Sequence, residues 1–370
     1  MADRVPLYDL TYGQLGELLA GWGEPRFRVD QVWGWLYRSL AGDFEGMANL
    51  PKALRARLTS EADLGLLTVV SERESPSGQT RKVLYRLRDG NTIESVLMHY
   101  HDRRTACISS QVGCGMGCTF CATGQGGLVR NLSAGEIVAQ VIHLAREVRE
   151  AQIERAEERG IRAQLPEHPV TNIVLMGMGE PLANYDATWQ AIETLSDARG
   201  YGLGARHITL STVGLVPGIR RLTEEGLPIN LAVSLHASDD PLRDQLVPVN
   251  VRYPLAEVMA AVRDYVQETG RRVTIEYALI DRVNDTMEQA QGLADLLQDL
   301  LCHVNLIPLN PTPGSALQAS PRERVEAFRD VLTGRRIPTT VRMRRGIGIE
   351  AGCGQLRQHQ AGMEVFQIPG

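Results

Sequence analysis

The chain has 370 residues, 43% of them hydrophobic and 22% charged, and a formal net charge of −5. Such a composition excludes a disordered or fibrous chain, and the length predicts one large domain with a smaller appendage. The acidic balance excludes a uniformly basic nucleic-acid coat but not a local basic patch, and the longest uncharged stretch, 105–129, is too rich in Gly, Ser, Thr and Gln to span a bilayer.

The first residues, Met1-Ala2-Asp3-Arg4-Val5-Pro6, carry no apolar run after their charges, which predicts a cytoplasmic protein with no secretory signal and no membrane partner. Residues 1–95 read as a small helical accessory domain that ends in a hairpin. Apolar residues at helical spacing run through Leu15, Leu18 and Leu19, through Val29, Val32, Trp33 and Leu36, and over 50–58. Two strands, 82–87 and 92–99, follow on either side of Asp89-Gly90-Asn91, which is turn chemistry.

Residues 96–345 alternate. Strand patterns fall at 105–110, 172–176, 207–211, 230–235, 273–280, 303–309 and 339–343, with helical patterns at 133–148, 186–196, 216–225, 255–268, 286–300 and 321–332. This predicts an α/β fold, a parallel sheet with crossover helices curled into a partial barrel. The polar run 146–159 reads as a solvated helix end or loop. A tail, 346–370, completes the chain.

The six cysteines are unevenly spread. Cys107, Cys114, Cys118 and Cys121 lie within fifteen residues, while Cys302 and Cys353 are far away. In a reducing compartment, clustered cysteines are metal ligands or catalytic thiols more often than disulfides. Cys114, Cys118 and Cys121 have the spacing C-x3-C-x2-C, with Gly113, Gly115, Gly117 and Gly124 letting the backbone wrap closely. Thiolates select zinc or iron-sulfur clusters, and a closed zinc site needs four ligands. Three suit a [4Fe-4S] cluster with one iron open to an outside ligand, while the alternative is a zinc knuckle that borrows Cys107, Cys302 or a histidine.

That spacing after the first strand of an α/β repeat, with Phe120 directly before the last cysteine, resembles the radical S-adenosylmethionine enzymes. The wider context is Cys107-Ile-Ser-Ser-Gln-Val-Gly-Cys114, Ala122-Thr123-Gly124, Arg130-Asn131-Leu132 and Cys353-Gly354-Gln355-Leu356. It is similar to the branch that methylates adenine carbons of RNA, nearest to methyltransferases acting on C2 in 23S rRNA and tRNA. The resemblance implies a partial (β/α)6 barrel with a helical N-terminal domain and a C-terminal catalytic loop. It implies one [4Fe-4S] cluster on Cys114, Cys118 and Cys121, and two S-adenosylmethionine molecules per turnover. By the same resemblance, Gly179 and Glu180 hold the amino group of S-adenosylmethionine, and Ser211, Ser234, Leu235, His236 and Asn310 complete its contacts. Read alone, Ser211 is a turn residue, His236 a core histidine and Asn310 a cap before Pro311. The implied partners are 23S rRNA, tRNA and an external electron donor, and the implied state is a monomer.

Adenine C2 has no nucleophilic character, so ordinary methyl displacement fails there and a radical route is required. In the implied mechanism, Cys353 accepts a methyl group as S-methylcysteine, and the methyl carbon, after loss of a hydrogen atom, adds to C2. Glu94 then takes the C2 proton, and Cys107 attacks the Cys353 sulfur, leaving a transient disulfide. From the residues alone, Cys107 is a buried strand cysteine and Cys302 a core thiol, while Glu94 could equally be a solvent-facing strand residue, which periodicity does not decide. Family members commonly carry Asp-Ala-Ala-Cys where this chain has Glu350-Ala351-Gly352-Cys353, which predicts a looser loop, and 346–349 is less acidic than the family pattern. Adenine-C8 methylation shares the same cysteines and stands as the alternative, with a non-enzymatic zinc-binding RNA module behind it. Arg335, Arg336, Arg342, Arg344, Arg345 and Arg357 predict a basic stripe for phosphates, extended by Arg81, Lys82, Arg86, Arg88, Arg103 and Arg104.

Overall fold

Ten strands form one sheet in strict chain order. The computed structural model describes residues 4–310, 312, 315–342 and 346–356. Its sheet comprises β1 (Leu67–Glu74), β2 (Thr80–Leu87), β3 (Thr92–His99), β4 (Arg104–Cys107) and β5 (Asn172–Leu175), then β6 (Ile208–Thr212), β7 (Asn230–Ser234), β8 (Val273–Leu279), β9 (Cys302–Pro308) and β10 (Thr339–Val341). Neighbours from β1 to β4 are antiparallel, and every pair from β4 to β10 is parallel.

The seven parallel strands are those the alternation predicts, and a long helix stands in each gap: Ala134–Glu158, Tyr185–Ser196, Val216–Glu224, Leu255–Thr269, Met287–Leu296 and Arg322–Gly334. Each buries one apolar stripe on the sheet, as Val258, Met259, Val262 and Tyr265 do from Leu255–Thr269. Among the described residues β10 pairs only with β9, and the free side of β4 is taken by β3. The barrel is therefore partial, and its parallel strands deliver their C-terminal ends to one face.

The first crossover helix starts on a reciprocal cap. Ser133 Oγ accepts the Glu136 N–H (3.1 Å), and Glu136 Oε2 accepts the Ser133 N–H (2.9 Å). The N-terminal helices Tyr12–Gly21, Phe27–Tyr37 and Lys52–Glu61 bury Leu15, Leu19, Trp33, Leu36 and Leu58 together and dock against this helix.

Two arginines of the supposedly solvated run make the joint. Arg146 donates to the carbonyls of Leu40 (3.0 Å) and Ala41 (2.8 Å), and Arg149 to those of Ser39 (2.7 Å) and Arg38 (2.9 Å). These carbonyls close the helix Phe27–Tyr37, where the backbone runs out of internal donors. The run is helical through Glu158, and these two side chains are not idle. Strand β1 was not foreseen: its residues are half-exposed and a bulge interrupts it between Val69 and Ser71, which blurs the alternation. The sheet also runs unbroken through position 95, which lies inside β3.

Arg146→Ala removes two charged donors at once and is expected to lower the unfolding free energy by about 2 kcal/mol, against less than about 0.5 kcal/mol for the exposed Arg155→Ala. Urea denaturation of the two variants checks this, and equal losses would show that the joint contributes nothing.

Candidate active site

The cysteine loop follows a short strand, Gln111–Gly113, which pairs with Leu128–Asn131 outside the main sheet, and it re-enters structure at the one-turn helix Ala122–Gln125. Gly113 sits at φ +76°, where an added Cβ would lie 2.0 Å from the Gly127 carbonyl oxygen, and Gly124 approaches the Cys118 backbone so closely that a Cβ would sit 3.0 Å from its nitrogen. Wrapping of this kind needs glycine. Cys114 and Cys118 are buried and Cys121 is partly exposed. Burial pushes the Cys114 thiol up to about 12 and raises Cys118 further.

All three cysteines line one cavity with Gly179, Glu180, Ser211, Ser234, His236, Asn310 and Cys353. Gly179, at φ +108°, lies against Ser110 and Gln111, where a Cβ would come within 2.7 Å of the Ser110 hydroxyl. Glu180 is buried at the start of the turn Pro181–Asn184, accepting N–H bonds from Leu182 (3.1 Å) and Val213 (2.9 Å). Burial pushes its carboxyl up to about 7 against the lowering effect of those bonds. A cationic group placed beside it would draw it back to the carboxylate.

His236 takes a left-handed backbone, φ +63°, fixed by Asn284 Nδ2 donating to its carbonyl (2.8 Å) and by its own Nδ1 accepting the Ala278 N–H (3.0 Å). The second bond places the ring proton on Nε2. Burial, with Arg243 nearby, pushes this imidazole down to about 3 and keeps it neutral. Leu235 alone of the expected cofactor contacts lines neither this cavity nor its neighbour: it is fully buried, its N–H bonds the Glu276 carbonyl, and its own carbonyl accepts Arg243 Nε (3.0 Å).

Arg243 was missed from sequence. Fully buried, it donates to the carbonyls of Leu235 (3.0 Å), Val213 (2.5 Å) and Ser234 (3.2 Å) and to Asn250 Oδ1 (2.6 Å), pinning the ends of β6 and β7. An arginine in a short helix opening Asp239-Asp240-Pro241 looks like any surface cation, and no local signal marks it. Glu276 was missed too, although a lone carboxylate inside Val273-Thr-Ile-Glu-Tyr-Ala-Leu was a legible one.

The tail brings Cys353 to the same place. Asn310 Nδ2 donates to the Cys353 carbonyl (3.0 Å), the Ala122 N–H donates to the Gly354 carbonyl (2.8 Å), and Thr123 Oγ1 bonds the Leu356 carbonyl. Gly352 does not loosen this loop. It is buried, with its N–H on Gln355 Oε1 (2.9 Å), and a Cβ there would lie 2.7 Å from Asn310 Nδ2.

Cys107 ends β4, buried between Val96 and Val174. Burial, with Cys353 as the next contributor, pushes its thiol up to about 12. Neither Cys107 nor Glu94 lines the two cavities that share Cys353. Glu94 is buried in β3 rather than solvent-facing, in an ion pair with Lys82 Nζ (2.8 Å), and Lys82 also donates to the Glu350 carbonyl (3.2 Å) of the Cys353 loop. Cys302 is buried at the start of β9, and all six cysteines are free thiols.

The sulfur spacing separates a cluster from a single ion. One tetrahedral zinc with Zn–S bonds of about 2.3 Å holds its sulfurs about 3.8 Å apart. Among the described residues, the one trio whose ligand atoms all lie within 4.8 Å of each other is Glu72, His143 and Glu147, and not the cysteines. Arg81 pairs with Glu72 and with Glu147 (3.7 Å), so that trio is an internal ion-pair network. The three thiols fit a cluster whose irons take one sulfur each.

Comparison with known proteins agrees. Residues 5–64 match the Ribosomal RNA large subunit methyltransferase N-terminal domain, and residues 108–294 the Radical SAM superfamily. A probable dual-specificity RNA methyltransferase RlmN of Chloroflexus aurantiacus is 52% identical over 356 residues, spanning 95% of this chain and 92% of that protein. The chain belongs to the RlmN family of radical S-adenosylmethionine methyltransferases. A dual-specificity RNA methyltransferase RlmN 1 of Myxococcus xanthus is 50% identical over 351 residues, 95% of this chain and 94% of its own. A crystal structure of a radical SAM methyltransferase from Sphaerobacter thermophilus matches with a TM-score of 0.88 at 53% identity, over 95% of this chain and 99% of that one. The cofactors of the radical SAM fold are a [4Fe-4S] cluster and S-adenosylmethionine.

The expected basic stripe is partly spent on internal partners. Arg335 pairs with Asp295, Arg81 with Glu72, Arg88 with Asp63 and Lys82 with Glu94, while Arg104 bonds the carbonyls of Pro169 and His168. Arg103 and Arg342 line the second cavity, and Arg344, Arg345 and Arg357 lie outside the described residues. Among the described residues, no helix is long and apolar enough to cross a membrane.

In the cluster-free chain at pH 8, iodoacetamide should label Cys353 at least about tenfold faster than Cys107 or Cys302, whose thiols burial pushes up to about 12 and about 11. Peptide mapping over a time course checks this, and simultaneous labelling of Cys107 would contradict its burial.

Proposed function

We propose that the protein methylates C2 of adenine in 23S rRNA and in the tRNA anticodon loop, and that the methyl group travels on the sulfur of Cys353. The observation that carries this reading is the position of Cys353. Cys353 lines both the cavity of the three-cysteine loop and a second cavity, and it is near enough to Cys107 to act on the charge of that thiol. The relatives named as dual-specificity RNA methyltransferases support RNA as the substrate.

Cys114, Cys118 and Cys121 would hold the cluster. Gly179 and Glu180 would receive the amino group of S-adenosylmethionine, Glu180 as the carboxylate that a cation favours, and Ser211, Ser234, His236 and Asn310 would line the rest, with Leu235 positioning its neighbours. When bound, the cofactors supply the one-electron chemistry that activating a C–H bond requires. Cys353 accepts a methyl group by displacement, and its sulfur presents that carbon to adenine C2. Arg342, which lines both cavities, sets a positive charge close to this sulfur. Glu94 takes the proton lost from C2. Its partner Lys82 also holds the Glu350 carbonyl, so the base and the methyl carrier share one anchor.

The Cys107 thiol attacks the Cys353 sulfur, forming a transient disulfide and freeing the methylated base, after which a reductant restores both thiols. The protein works as a monomer in the cytoplasm, drawing electrons from an external donor.

Anaerobic reconstitution with iron and sulfide, followed by nucleoside mass spectrometry of treated rRNA and tRNA, should give 2-methyladenine. Finding 8-methyladenine in its place would establish the C8 reaction. Cys107→Ala should trap a covalent RNA adduct with turnover down at least about 100-fold, whereas Cys353→Ala should form no adduct. Normal turnover by Cys107→Ala would end its assignment as the resolving thiol.

A further inference from the structure

Glu276 sits at the centre of β8, only 4% exposed, and lines both cavities that meet at Cys353. One of its oxygens is committed. Asn305 Nδ2 donates to Oε1 (2.9 Å), and Asn305 is itself locked because its Oδ1 accepts Thr340 Oγ1 (2.7 Å), which in turn meets His303 Nε2 (2.9 Å). The other oxygen, Oε2, is buried and has no hydrogen-bond partner. A buried acceptor left open in this way carries a desolvation cost that a donor from a bound molecule would remove. Burial raises the carboxyl above its ordinary range, and Arg342 and the Asn305 bond pull it back toward the carboxylate.

A second open acceptor, Asn310 Oδ1, belongs with the cofactor contacts already described. Glu276 has no such assignment. It lies level with Ser234 of that set, paired with it in β7 and with Asn305 in β9, and it also faces the side where Tyr100, Arg103, Asn305, Thr340 and Arg342 make a polar entrance. A base that reaches Cys353 through that entrance must leave its stack, and its edge then faces protein groups.

We propose that Glu276 is the residue that selects adenine, its open carboxylate oxygen accepting a hydrogen bond from the exocyclic 6-amino group of the flipped base. Adenine presents a donor at this position and guanine an acceptor, so the same oxygen attracts one base and repels the other. The Asn305 and Thr340 chain holds the carboxylate in that orientation. This inference rests on the reading of the protein as an adenine methyltransferase.

The test compares anticodon stem-loop RNAs bearing adenosine or purine riboside, which lacks only the amino group, at the target position. Binding to the reconstituted enzyme is measured by competition, and methyl transfer is measured separately. The wild type should bind the purine RNA about 10- to 100-fold more weakly. In Glu276→Gln and Glu276→Leu, the ratio of adenosine to purine affinity should fall toward one, which cancels differences in base reactivity. A wild-type protein that binds both RNAs equally overturns the proposal even if neither variant folds. So does Glu276→Gln with the ratio intact and S-adenosylmethionine binding lost in equilibrium dialysis, because the carboxylate would then serve the cofactor. Absence of methyl transfer to any RNA would instead overturn the reaction itself, whereas transfer without discrimination at the 6-position overturns this inference alone.

Discussion

Two hydrogen bonds flank Cys353 and, with those of Thr123 and Lys82, hold its segment to the site. Asn310 Nδ2 reaches the Cys353 carbonyl, and the Ala122 N–H reaches the Gly354 carbonyl, at 3.0 and 2.8 Å. They fasten a segment from the far end of the chain both to the chain just past β9, at Asn310, and to the helix that follows the cysteine loop, at Ala122. Leu356 is buried in the main core and Ala351 packs against it, so these bonds act together with apolar burial to seat the Cys353 segment. Gly352 is part of the same constraint: only a residue without a side chain lets Asn310 come close enough to bond its neighbour.

The sheet makes such a closure possible by spending its polar groups elsewhere. At the C-terminal ends of parallel strands, carbonyls run out of partners and point into the space where a ligand binds. Arg243 collects three of them, and Glu180 takes two amide protons of the same turns. Both side chains are buried and multiply bonded, so the strand ends keep their positions whether or not a ligand is present. His236 is a third device of this kind, since the strain of its left-handed backbone is held by Asn284 and Ala278.

What could be read from the sequence follows from range. The seven parallel strands and their helices were legible because each element buries its own face, and apolar periodicity records that locally. The cysteine loop was legible for the same reason: its ligands are neighbours in the chain, and its glycines mark where backbone meets backbone. Strand β1 was hidden because it is a half-exposed edge with a bulge, and its pairing with β2 is all that defines it. Arg146, Lys82 and Arg243 were hidden for another reason. Their partners lie in other elements, and a cation that bonds a distant carbonyl has the same local sequence as one that faces water. Glycine at 352 misled because its composition says mobility while its packing says contact.

The placement of Cys353 on both cavities has a consequence for the transfer step. A methyl carrier that had to leave one compartment and enter another would require the tail to unbind, breaking the bonds from Asn310, Ala122 and Thr123 in each cycle. Cys353 lines both cavities from one backbone position, so the proposed methyl transfer needs no release of the tail. Cys107 lies near Cys353 in a strand that cannot move far, since it is paired on both edges to β3 and β5. Under the proposed mechanism Cys107 is thus the thiol held in place by the sheet, and Cys353 is the one whose position is set by the tail.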